Sequence, residues 1–231
     1  MTDENKRSRW AGALYLIVVA TGLFSLVYVP SHITVAHDGH ATVANVVALE
    51  PMFRLGIAAF MIEQVAFLLL PLALFKLLRS VDQNVAVAMV ALAAVSVPIA
   101  LVSLLSKLDV LSLVGGTAHA QVIAPEQLEA KVMLLLDAYG NGLLVTSLFW
   151  GLWLLPFGYL VFRSGFLPRI LGVLLMLGCL GYLVDVFGGL LVARYAGSTV
   201  AKLAPLPGAI GEIGTCLWLL LVGARRPDEA R

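Results

Sequence analysis

The chain has 231 residues, 61% hydrophobic and 13% charged, with a formal net charge of +1. A mean hydropathy of +0.97 leaves too few polar groups to cover a water-soluble globule, in which about a quarter of residues are charged. The near-neutral balance offers no footprint for nucleic acid, and the two cysteines, Cys179 and Cys216, lie in apolar runs and read as packing residues.

A helix crossing a bilayer needs about 20 apolar residues. Six blocks meet that length, at approximately 10–29, 52–78, 85–106, 134–162, 167–192 and 206–222. They are continuously apolar, whereas barrel strands alternate. Lys6, Arg7 and Arg9 precede the first block in the manner of a signal peptide, but the block is long enough to span and carries no clean cleavage site. It reads as an uncleaved first helix. Glu63 and Pro71 interrupt the second block, Pro98 the third and Pro156 the fourth; neighbouring helices can satisfy the carbonyls that such prolines free. Between the first two blocks, residues 42–50 suggest a short interfacial helix. Ahead of the fourth, Pro125 with Glu126 and Glu129 looks like a helix start, with proline in the first turn and acids at the positive dipole end. That helix is expected to project beyond the membrane before entering it. Gly165 and Pro168 punctuate the short turn between blocks four and five, and Gly115-Gly116 reads as a turn after block three.

Orientation follows from Lys and Arg. With the N-terminus inside, the cytoplasmic side holds Lys6, Arg7, Arg9, Lys76, Arg79, Arg163, Arg169, Arg225, Arg226 and Arg231 of the 15 cations. The other side holds Arg54, Lys107, Lys131, Arg194 and Lys202. Both termini are therefore expected in the cytoplasm. The expected architecture is all-α, one integral membrane domain over residues 1–231 forming a six-helix transmembrane bundle.

Ionisable groups at membrane depth cost roughly 2.5–3.5 kcal/mol each on insertion scales and call for a reason. Four acids stand out: Glu63, Asp137, Asp185 and Glu212. Residues three and four apart share a helix face. Glu63 shares its face with Gly56, Ala59 and Ala66, Asp185 with Gly178, Gly181, Gly188 and Gly189, and Glu212 with Gly208 and Thr215. Small residues mark helix contacts in membranes, so these acids are expected to face other helices. Asp137 has Gly140 and Asn141 beside it, and Arg54, Lys107 and Arg194 fall at the same outer level. The pattern suggests a polar cluster in the outer half of the bundle. Its candidate ligand or proton residues are Glu63, Asp137, Asn141, Asp185, Glu212, Arg54 and Arg194. Ion pairs that merely fix helix register are the alternative.

His32, His37 and His40 flank Asp38 in the first outer loop, but their spacing matches no metal motif, and a solvated loop is the better reading. His119 carries no signal. The tryptophans and tyrosines, among them Trp10, Trp150 and Trp153, read as an aromatic belt. No nucleophile elbow, zincin motif or phosphate-binding loop is present, so no catalytic residue, metal or cofactor is expected and an enzyme is disfavoured.

Several segments carry a family resemblance. Residues 45–56 include Glu50-Pro51 and Arg54-Leu55-Gly56. Residues 159–172 include Arg163, Gly165, Pro168-Arg169 and Gly172, and Gly181-Tyr182-Leu183-Val184-Asp185 follows. With the opening residues 11–16, this pattern resembles the bacterial family called domain of unknown function 4386, over essentially the whole chain. The resemblance implies a small multi-pass protein of the bacterial inner (plasma) membrane and implies no activity. The function expected is binding or transport of a small solute or proton through the acidic polar cluster. A structural or accessory membrane subunit without ligand, and an intramembrane lipid-modifying enzyme, stand beside it. The expected partners are the lipid bilayer and a small-molecule or proton ligand, with a homo-oligomer left open.

Overall fold

In a computed structural model, residues 3–115 and 124–224 are described; Gly116, His119, Arg225, Arg226 and Arg231 lie outside them. Among the described residues there is no strand. The helices are α1 (Asp3–Gly22), a π-helical turn (Leu23–Tyr28), α2 (Val29–Ile33), α3 (Gly39–Ala48), α4 (Glu50–Leu78), α5 (Gln83–Val114), α6 (Pro125–Leu152), α7 (Leu154–Ser164), α8 (Arg169–Leu191), α9 (Thr199–Leu203) and α10 (Leu206–Leu221). They make six spans long and apolar enough to cross a membrane: Asp3–Ile33, Glu50–Leu78, Gln83–Val114, Pro125–Ser164, Arg169–Leu191 and Thr199–Leu221.

Local chemistry sets the boundaries. Asp38 caps α3, its side chain accepting the Ala41 amide at 2.8 Å, so that helix begins three residues before the 42–50 segment read from the sequence. Glu50-Pro51 opens α4 and Pro125 opens α6, the latter as its first turn suggested. The α6–α7 span runs 40 residues, about 60 Å of helix at 1.5 Å per residue, longer than a hydrocarbon core of about 30 Å. Pro156 has no N–H for the carbonyl of Leu152, and the helix breaks there, between α6 and α7. Pro30 has the same relation to Leu26, and the backbone widens into the π turn just ahead of it. Gly165 ends α7 with φ +75°, a conformation glycine adopts without strain.

The chain divides into two compact units. The first comprises Met1–Ile17, Val65–Val97 and Val145–Arg231, the second Val18–Gln64 and Pro98–Leu144. α1, α4, α5 and α6 contribute residues to both.

In the first unit, α8 packs on α7 and α10 at glycine contacts. A Cβ on Gly178 would lie 2.5 Å from the Gly208 Cα, and one on Gly158 would lie 2.6 Å from the Gly172 carbonyl oxygen. Beside these contacts Trp153 stacks on Phe157, with centroids 5.0 Å apart, and meets Phe67 edge-on. Trp153 is 1% exposed, which corrects its place in an aromatic belt: the helix break at Pro156 turns it into the core. Trp10 is 62% exposed.

Both units are inverted relative to a soluble protein. Ser8, Ser25, Thr42, Glu63, Gln64, Lys107 and Thr215 are buried, while large apolar side chains such as Leu134, Leu191 and Leu221 are exposed. Lipid solvates the apolar exterior, and polar atoms are held inside. Cys179 and Cys216 are buried free thiols.

Candidate ligand site

The second unit contains a cavity of about 210 Å³. Lys107 enters it from α5, which runs seven residues past Lys107 to Val114, so the lysine sits within the helix rather than at its end. Its side chain is only 5% exposed. The ammonium lies 4.0 Å from the ring centroid of Tyr139 and 5.8 Å from that of Phe53. No carboxylate among the described residues comes within 4 Å of it. Phe60 meets the edge of the Tyr139 ring at 6.0 Å and holds it in place. The Tyr139 hydroxyl is buried and has no hydrogen-bond partner among the described residues. Asp137, one face over on α6, also lines the cavity and is exposed. Pro30, Ile33 and Met133 form apolar wall.

The same unit holds Glu63, 6% exposed. The Ser25 hydroxyl donates to its carboxylate at 3.2 Å. Ser25 belongs to the π turn. A Cβ on Gly22 would lie 3.4 Å from the Glu63 carboxyl, so the glycine lets α1 approach that group. Gln64, the next residue, is fully buried with both amide atoms unpartnered among the described residues.

The first unit holds the other two acids. Glu212 accepts from the Tyr15 hydroxyl at 3.3 Å. Asp185 accepts from the Tyr195 hydroxyl at 2.6 Å. Tyr195 lies beyond the end of α8, and this hydrogen bond to the Asp185 carboxylate pushes its phenol up to about 12. Its ring fills the space beside Gly188.

The remaining predicted residues lie apart from the cavity lining. Arg54 pairs with Glu50 one turn back on α4 at 2.7 Å, on the exposed surface. Arg194 is exposed in a left-handed conformation, and Asn141 is exposed on α6. His32 bonds the Tyr28 carbonyl at 2.8 Å, and His40 bonds Glu129 at 2.7 Å. No group of three or more His, Cys, Asp or Glu among the described residues is placed to hold a metal ion. Of the seven residues named from sequence, only Asp137 lines the cavity. Lys107 was placed at a helix end, and Tyr139 was not singled out. The largely apolar stretch from Val110 to Val114, interrupted only by Ser112, was the signal for the lysine, since it carries the helix onward.

Six apolar spans with polar side chains held inside define a multi-span helical membrane protein. The chain belongs to the family described as Domain of unknown function (DUF4386), which matches it over residues 10–223. Neither the curated proteins nor the solved structures contain a match to it.

Proposed function

We propose that this protein binds a small organic anion, of the size of a short carboxylic acid, in the cavity beside Lys107, and that it does so in a bacterial plasma membrane. The observation that carries the reading is a buried ammonium without a carboxylate partner among the described residues. Desolvating such a charge costs several kcal/mol. A desolvated cation–π contact returns about 2 kcal/mol or somewhat more, which offsets only part of that cost. An anionic ligand supplies the missing counter-charge. The Tyr139 hydroxyl adds a donor to that anion, and Asp137 adds an acceptor for any hydroxyl or amine it carries. At about 30 Å³ per water, the cavity has room for roughly seven waters or a solute of equal volume.

Glu63 supports a linked role for protons. It is a buried carboxylate with a single hydroxyl donor, set against a π turn, and such turns recur at functional sites. Asp185 and Glu212, each bonded by one tyrosine, serve in this reading to fix helix register.

Native mass spectrometry tests the proposal on wild type and Lys107→Met, both purified in mild detergent. Wild type is expected to carry a small acidic adduct that the variant, of similar volume, has lost. A bare mass for wild type, or the same adduct on both, would overturn it. A co-purifying protein with no small adduct would favour the accessory-subunit reading instead.

A further inference from the structure

A second opening, in the first unit, is a cleft of about 700 Å³ between the start of α1 and the end of α4. Lys6, Arg7, Lys76 and Arg79 line it, with Trp10 below them and Leu14, Leu69 and Leu72 deeper. The order follows from helical spacing. Lys6, Trp10 and Leu14 recur every four residues on one face of α1, and Lys76, Leu72 and Leu69 share a face of α4 at spacings of four and three. Both helices therefore grade in the same direction, from cation to aromatic or apolar side chain. Lys6 makes a loose pair with Asp3 at 3.9 Å. Arg7, Lys76 and Arg79 have no carboxylate within 4 Å among the described residues. Glu4 lines an adjoining smaller cleft with Arg7, Lys76 and Arg79, so three cations face one acid there.

We propose that this cleft is a binding site for an anionic phospholipid. The head-group phosphate sits among Lys76, Arg79, Arg7 and Lys6, and an acyl chain lies along Leu14, Leu69 and Leu72. Charge selects the occupant: basic pockets between membrane helices favour anionic head groups. The apolar lower wall selects a lipid over a free ion. Trp10 marks the level where head group meets chain. The site is distinct from the Lys107 cavity and stands whether or not that cavity holds a ligand.

The test is native mass spectrometry with mixed micelles of phosphatidylglycerol and phosphatidylcholine, with inorganic phosphate as competitor. Wild type is expected to retain phosphatidylglycerol preferentially. Lys76→Gln with Arg79→Gln should lower that retention by roughly an order of magnitude, since each surface cation contributes separately. Leu72→Trp keeps every charge, fills the apolar wall, and should lose the lipid with an unchanged melting temperature. Equal retention of both lipids by wild type, or undiminished retention by the charge variant, would refute the proposal. Displacement by inorganic phosphate with no effect of Leu72→Trp would reduce the cleft to a simple anion site and also refute it.

Discussion

His40 shows how a single residue ties a loop to the bundle. Its imidazole bonds Glu129 at 2.7 Å, and that carboxylate holds its pKa above the ordinary value of about 6.5. A raised pKa means that the folded state holds the proton more tightly than the unfolded chain does. The contribution is therefore complete below about pH 6.5 and fades as pH rises through the higher folded value. His40 is exposed, so the effect is local. Amide exchange of Gly39–Ala48, corrected for intrinsic rates, is expected to be slower at about pH 5.5 than at about pH 8.5. His40→Gln should remove the difference. An unchanged pH response in that variant would assign it to another group.

Residue-level chemistry was only partly legible in the sequence. The four acids announced themselves because charge in an apolar run has few innocent explanations. Their partners did not: Ser25 reaches Glu63 through a π turn, and no spacing rule for an α-helix predicts which side chain such a turn presents. Lys107 was misjudged for a related reason. The third apolar block ends at residue 106, one short of the lysine, while α5 continues to Val114.

At the scale of elements, α8 brings its backbone against the backbones of its neighbours at two glycine contacts. Gly178 lies against Gly208 of α10, and Gly158 of α7 against Gly172. Without a hydrophobic force between helices in lipid, this close approach is the source of their packing. Gly178→Ala is expected to destabilise the bundle by about 1–3 kcal/mol, because its Cβ would meet backbone that cannot rotate away. Gly189→Ala, where a Cβ meets nothing within 4 Å, should be close to neutral. A detergent-unfolding titration of both variants checks the contrast; equal losses would mean that the contact at Gly178 carries no special weight. The glycine stripe on α8 was visible in the sequence as period alone, but not which members touched a helix, since that depends on the partner.

For the whole molecule, the six spans followed directly from block length, and the structure bears out each of them. An even number of spans returns both ends of the bundle to one face, and the Lys and Arg bias predicts that this face is cytoplasmic. Fusions of alkaline phosphatase to the two ends are expected to be inactive, and fusions of a cytoplasmic fluorescent reporter to be bright. A split result at the two ends would demand an odd number of crossings.

Helices α1 and α10 also meet inside the first unit. The Ser8 hydroxyl lies 3.5 Å from the Leu219 carbonyl, the Tyr15 hydroxyl bonds Glu212, and a Cβ on Gly12 would strike the Leu220 backbone. These pairs are separated by about 200 residues of sequence. At translation rates of roughly 5–20 residues per second, α1 waits some 10–40 seconds for α10. Throughout that interval its polar face has no partner from α10. α10 thus completes the packing around α1, whose polar side chains are expected to be sheltered by lipid or by the insertion machinery until it arrives.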